Sequence, residues 1–302
     1  MTLGKIHEAT AGETRDLYYV DTEMFDSPNY GPVYILDAEK PAIVDTATGQ
    51  NYETVLSTLS ELGIEPEELE AIVLTHVHLD HAGGASVIAE ECPNADVYIH
   101  KSGSQFLENP EPIWNGTKEV VGDRIRYYRE PDPIPAERII EVEEGDIIDL
   151  GNHRLEVYHA PGHAFHQVVY FDIDNDGVFT ADAAGINIPD RDGVRYTSPP
   201  PGFDLDGCLA DVAMIQELDP KVLYYAHFGD YETGDLLSEY ESVLETWVEE
   251  VESARAELSD DQAVKEYFAD RTESTEFWTE EHARGEERMN VAGVLHYLDN
   301  RE

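Results

Sequence analysis

The sequence predicts an α/β chain built of two similar halves, and three observations carry that expectation. Strand-like and helix-like stretches alternate between about residue 17 and residue 227. Two hairpin-like stretches, "VYILDAEKPAIVDT" and "VVYFDIDNDGVFTAD", each close on an aspartate, Asp45 and Asp182. Each is followed by a helical pattern and then by a buried-looking strand that runs to a histidine: "AIVLTH" with His76 and "KVLYYAH" with His227. Ligand sites in α/β folds gather at the carboxyl ends of strands, so the two halves point to one shared edge.

In chain order, "DLYYVDTEMF" and "GPVYILDAEKPAIVDTATG" are β-rich, and the second breaks around "DAEKP" as a hairpin does. "NYETVLSTLSELG" has leucines at helical spacing and Gly63 as its stop. "EAIVLTH" reads as a buried strand delivering His76, "GGASVIAEEC" as a helix and "ADVYIH" as the next strand. Residues 101–140 lose this rhythm: "NPEPIWNG" and "EPDPIP" read as an irregular excursion over one face, with Trp114 and Phe106 as an apolar wall over the site or as anchors to the core. "DIIDLGNHRLEVYHAPGH" and "QVVYFDIDNDGVFTADAAG" read as paired strands, "DLDGCLADVAMIQELD" as a helix, and "KVLYYAHFG" as the last buried strand. Beyond it, stretches such as "DLLSEYESVLETWVEEVESARAEL" repeat apolar residues every three or four positions. The expected division is a core domain over 1–234 and an acidic C-terminal helical extension over 235–302 packed on it.

Sixty-five acidic residues face nineteen basic ones, for a formal charge of -46. The acids are spread through "EPEELE" and "EVEEGD" among apolar residues, as on solvated faces of folded elements. Such a surface repels itself unless salt shortens the screening length to about 3 Å, as at molar ionic strength. It is read as an adaptation of a salt-loving source. No basic stripe exists to neutralise phosphates, which disfavours nucleic acid as a partner. No apolar run reaches membrane-spanning length, and "MTLGKIHEAT" lacks the apolar core of a signal peptide. Cys92 and Cys208 make neither a disulfide framework nor a CxxC pair, so a reduced cytoplasm is expected. A homodimer stays open as the oligomeric state.

The stretch that demands an explanation is "THVHLDHAGG", residues 75–84. Neighbouring imidazoles repel when charged, yet His76, His78 and His81 crowd around Asp80. Residues i and i+2 face one way in extended chain, so His76 and His78 can converge where a strand runs into a loop. Nitrogen and oxygen donors of this kind suit Zn, Fe or Mn. Four such groups so close in sequence split more naturally between two ions than around one. His163 in "APGHAF", Asp182 in "FTADA" and His227 in "YYAHFG" raise the set to seven, enough for two ions sharing a bridging carboxylate.

This order of motifs, H-x-H-x-D-H, then Pro-Gly-His, a strand-end Asp and a late His, resembles the metallo-β-lactamase superfamily of metal-dependent hydrolases over roughly residues 15–230. The resemblance implies an αβ/βα four-layer sandwich. It implies that His76, His78 and His163 hold one metal, that Asp80, His81 and His227 hold a second, and that Asp182 bridges them. Asp45 matches the early aspartate that orients a metal-binding histidine without ligating. Two divalent ions are expected, Zn first, with Fe or Mn as alternatives. "THVHLDHAGG" and "AHFG" look like the thioester-hydrolase and lactonase side of the superfamily, nearest to archaeal glyoxalase II-like members.

The implied reaction is hydrolysis of a small thioester, ester or lactone by a metal-bridging hydroxide, with Asp80 and Asp182 as catalytic residues and a small molecule as partner. Neither a Gly-x-Ser-x-Gly elbow nor a phosphate-cradling glycine loop competes with it. The other class that fits is a persulfide dioxygenase with one iron on His76, His163 and Asp182. Arg191, Arg195 and Tyr196, in the loop after Asp182, are candidate substrate contacts, since a cation there could grip a carboxylate. His166, three residues after His163, is weighed as another such contact against a purely structural role.

Overall fold

The computed structural model describes residues 4–189, 193–258, 260–272 and 278–301. Strands β1 (Ile6–Glu8), β2 (Leu17–Asp21), β3 (Pro32–Leu36) and β4 (Ala42–Val44) pair antiparallel in succession. Helix α1 (Tyr52–Glu61) then crosses one face, and Gly63 at φ +82° ends that stretch as expected. β5 (Ala71–Val73) therefore returns parallel to β4. α2 (Leu79–Ala82) and α3 (Ala85–Glu91) lead to β6 (Asp96–His100), and α4 (Ser104–Glu108) and α5 (Glu111–Val121) to β7 (Ile139–Val142). These seven strands form one sheet in sequence order.

The second sheet starts with β8 (Ile147–Asp149), β9 (Arg154–His159), β10 (Val168–Asp172) and β11 (Gly177–Phe179), again antiparallel neighbours. α6 (Leu205–Leu218) brings β12 (Val222–Tyr224) parallel to β11, and β13 (Asp230–Glu232) closes the edge. Hairpin, helix, parallel strand thus occurs twice, as the internal repeat predicts.

Alternation along the strands builds the layers. On β3, Tyr34 and Leu36 face the second sheet, where Leu155, Tyr170, Phe179 and Val222 meet them. Val33 and Ile35 face outward onto α1 and α3 through Val55, Leu59 and Ile88. On β10, Val168 and Tyr170 point inward and Val169 points out toward α6. Three apolar interlayers separate four layers, helix, sheet, sheet, helix: the αβ/βα sandwich. Tyr34 Oη ties the sheets together by donating to the carbonyls of Tyr225 (2.9 Å) and Gly229 (2.8 Å).

The C-terminal helices α7 (Leu236–Glu257), α8 (Asp261–Ala269) and α9 (Glu280–Asn300) cover the second sheet. Leu244, Trp247, Val251 and Val294 share one buried cluster with Val178, Val212 and Leu223.

Two expectations need correction. Residues 101–140 are not irregular throughout: α5 runs for eleven residues, with Pro110 at its N-cap and Pro112 in its first turn. Proline is tolerated in a first helical turn because the N–H it lacks has no partner there. In addition, the ladders of β5 and β12 stop at Val73 and Tyr224, so His76 and His227 stand three residues beyond, on loops.

Candidate metal centre

The two halves deliver their polar residues to one end of the sandwich. Beyond β5 the chain continues to His78, and α2 starts at Leu79, placing Asp80 and His81 in one helical turn. Asp45, just past β4, is at φ +58°, a left-handed conformation that Asp adopts more readily than most residues. From there Oδ1 accepts from Thr75 N (2.8 Å) and Thr75 Oγ1 (3.0 Å), and Oδ2 accepts from His81 Nδ1 at 3.0 Å. That last bond leaves His81 Nε2 to face the site. His227 is oriented likewise: its Nδ1 donates to the Tyr30 carbonyl (2.9 Å), and its ring stacks on Tyr30 at 4.7 Å.

Asp182 is the hub. Its Oδ2 lies 3.1 Å from His81 Nε2, 3.4 Å from His163 Nε2 and 3.5 Å from His76 Nε2, and its Oδ1 lies 3.6 Å from His227 Nε2. Around it the ligand atoms of His76, His78 and His163 converge within 4.8 Å of one another, as do those of Asp80, His81 and His227, and of His76, His81 and Asp182. All seven residues expected at the site therefore meet, and Asp45 stands behind His81.

A cation fits this arrangement better than hydrogen bonds do. His76 Nε2, His81 Nε2 and Asp182 Oδ1 are buried and make no hydrogen bond, although the neighbouring polar atoms are 3 to 4 Å away. Burial, helped by the neighbouring His81, pushes His76 well below the usual histidine range, and burial takes His78 down to about 4. Burial alone would raise Asp182, but His163, His81 and His227 hold its carboxyl well below the usual range. Asp80 is held low in the same way, chiefly by His81 and His227 acting against burial. The neutral His76, His78 and His163 imidazoles and the ionised carboxylates are donors suited to a divalent ion. Burial opposes a charge on His81, but Asp182 and Asp80 raise it well above the usual histidine range, so an ion there would displace its proton.

His163 is seated by its turn. A Cβ on Gly162 would come 2.2 Å from Cys208 N, so glycine alone lets the turn lie against α6. Gly162 N donates to Asp211 Oδ2 at 2.7 Å, and burial lifts the Asp211 carboxyl to about 7. A carboxyl raised from 3.8 in the unfolded chain contributes stability that is complete below about pH 4 and lost as pH rises through 7. Asp211→Asn keeps an accepting oxygen without the charge. Urea unfolding should show the variant about 2 kcal/mol more stable at pH 8.5 and the difference gone near pH 4; equal stability at both values would contradict this role for Asp211.

Beside the hub lies a cavity of about 430 Å³, within the range of small-molecule sites. His78, Asp80, His163, Asp182 and His227 form one part of its lining, and Leu79, Ile113, Val120, Val121 and Met289 supply apolar wall. Arg124 and Glu286 also line it and are bonded to each other. Tyr30 Oη donates to Glu286 Oε2 at 3.2 Å. Burial opposes the charge on Glu286, yet Arg124 and His282 outweigh it and keep the carboxyl below its usual range.

The expected substrate contacts fare differently. Arg195 and Tyr196 do not line this cavity, because Glu287 of α9 engages both, at 3.1 and 2.5 Å, and Tyr196 stacks on Trp247 at 3.8 Å. Arg191 lies outside the described residues. His166 sits behind the histidines, 5.5 Å from His78 and 6.0 Å from His76 by ring centroids, buried and driven by that burial down to about 2. Trp114 is buried, while its α5 neighbours Ile113 and Val120 reach the cavity. Sequence reading missed Tyr30, Arg124 and Glu286. The available signals were faint: an arginine in a chain poor in basic residues, and a His282/Glu286 pair at helical spacing inside an acidic segment.

The chain is also similar to known proteins. A metallo-beta-lactamase fold-containing protein of Sulfurisphaera tokodaii is 27% identical over 219 residues, covering 71% of this chain and 79% of that protein. The acyl-coenzyme A thioesterase MBLAC2 of Gallus gallus is 26% identical over 181 residues, 55% of this chain and 62% of that enzyme, so less than two thirds of its length is matched. The crystal structure of an archaeal metallo-beta-lactamase superfamily protein from Sulfolobus tokodaii superposes with a TM-score of 0.71 at 22% identity, over 93% of this chain and 99% of the other. The family model of the metallo-beta-lactamase superfamily matches residues 27–227, from the loop before β3 to His227, and the chain belongs to that superfamily.

Proposed function

We propose that the protein is a dinuclear metal-dependent hydrolase of small thioesters, esters or lactones, of glyoxalase II-like type. The observation that carries the reading is the meeting of two three-residue ligand groups on one carboxylate, Asp182. The MBLAC2 thioesterases, similar over about half of this chain, support an acyl substrate. His76, His78 and His163 would hold one divalent ion, zinc first, and Asp80, His81 and His227 the other, with Asp182 between them. Such ions, when bound, supply Lewis acidity and lower the pKa of water from 15.7 to about 7.

The chain's own residues do the rest. Asp45 and the Tyr30 carbonyl keep His81 and His227 in the tautomer that presents Nε2. The apolar cavity wall excludes bulk water around the acyl group. The acyl carbon gains a C–O bond to the hydroxyl of water as its C–S or C–O bond breaks. Asp80, which faces the cavity, passes the proton from water to the leaving sulfur or oxygen. We also read the acidic surface as adaptation to concentrated salt, and the protein as cytoplasmic.

The test is metal content per chain in protein purified in high salt without chelator, followed by a thioester and lactone panel. About two ions per chain with thioester or lactone turnover is the expected result. A single iron with oxygen uptake on a persulfide would replace hydrolysis by sulfur dioxygenation.

A further inference from the structure

Building on the hydrolase reading, we infer that the cavity accepts an uncharged, apolar acyl group, and that Glu286 on the C-terminal helix α9 determines this by cancelling Arg124 and excluding acyl groups that end in a carboxylate. Arg124 is the one Lys or Arg side chain among the described residues lining the cavity. Its guanidinium is bonded to Glu286, and the two side chains are 14% and 4% exposed. The other Glu286 oxygen accepts from Tyr30 Oη. His282 Nε2 approaches the carboxylate at 3.8 Å from the same helix. The charge of Arg124 is thus offset by Glu286 within the wall, and away from the metal end no Lys or Arg without a carboxylate partner lines the cavity among the described residues.

One further charged group there reinforces the exclusion: Glu119 of α5 also lines the cavity. Asp80 and Asp182 lie at the other end, where the two ions would neutralise them. A second carboxylate at the far end of the acyl chain would be desolvated beside Glu119 and an already paired Arg124, which is costly. An alkyl chain meets Leu79, Ile113, Val120, Val121 and Met289 instead. At ~30 Å³ per water the volume corresponds to roughly fourteen waters, ample for a medium-length acyl chain. Glu286 is a specificity residue, acting through Arg124 on what the cavity tolerates.

The experiment compares N-acetylcysteamine thioesters of hexanoate and of hexanedioate, equal in length and differing in one terminal carboxylate. It uses the metal-loaded full chain in high salt. Wild type should favour the hexanoyl ester by about 100-fold in kcat/KM, mainly through KM, since like-charge juxtaposition costs several kcal/mol. Glu286→Gln keeps the shape and frees Arg124, and should narrow that preference to about 10-fold or less. The double variant Arg124→Met, Glu286→Met removes the pair and should keep the hexanoyl preference. Calorimetry with the free acids, hexanoate and hexanedioate, gives the same comparison without turnover. If neither thioester is cleaved while hexanoate still binds better, hydrolysis falls and the cavity assignment stands. Equal affinity or turnover in wild type overturns the assignment, as does a folded Glu286→Gln with an unchanged ratio. Should Glu286→Gln not fold, the wild-type ratio and the double variant decide.

Discussion

Replacing Asp182 by Ala is expected to lower kcat/KM by about a thousandfold or more and to leave at most one metal ion per chain. The residue stands within 3.6 Å of four histidines, so its removal takes away the carboxylate shared by both ligand groups. Losing several kcal/mol of charge stabilisation at 1.36 kcal/mol per decade corresponds to that factor. Side-chain truncation at His78, which Asp182 does not contact directly, should cost less metal than truncation at the hub. Metal analysis and kinetics on Asp182→Ala, Asp182→Asn and His78→Ala check the order. Full metal occupancy in Asp182→Ala, with activity retained, would remove the bridging role.

The second large effect is expected far from the metals. Gly293 lies inside α9, where a Cβ would come 1.8 Å from Ser198 O and 2.8 Å from the Pro199 carbonyl carbon. That backbone is held on several sides: Ser198 N donates to Asn290 Oδ1 (2.6 Å), Ser198 Oγ to the Asn290 carbonyl (3.1 Å), and Trp247 Nε1 to Ser198 Oγ (3.0 Å). The clash cannot be relieved by turning a side chain, because the obstructing atoms are main chain. Gly293→Ala should therefore destabilise the fold by about 3 kcal/mol, although Ala is the better helix former elsewhere. Thr197 and Pro199–Pro201 line the cavity, so KM should rise together with the loss of stability. Denaturant midpoints and KM on one preparation test this. A variant as stable as wild type would mean that α9 does not seat this loop.

Gly293 and Glu286 also mark the limit of what sequence patterns convey. The apolar alternation of β3 and the helical spacing of α1 were legible because burial imposes periods of 2 and 3.6 on neighbouring residues. "THVHLDHAGG" was legible for a related reason: several metal donors must come from one short loop, so their spacing is preserved in the chain itself. The helix α5 was obscured by prolines that are harmless in its first turn. The cavity was obscured more deeply, since Arg124 and Glu286 are 162 positions apart and nothing local to either announces the other.

By itself, then, the sequence determined the class of fold, its two halves, the seven residues gathered at the shared edge and Asp45 behind them. Each of these is a local pattern or a motif of fixed order. Only the tertiary structure decided which of the chain's few cations faces the site. It turned Arg195 and Tyr196 toward Glu287, brought Arg124 to the cavity against Glu286, and made the C-terminal helices part of the cavity wall. Charge pairing across long sequence separations depends on how layers stack, and stacking is settled by the whole core rather than by any one segment.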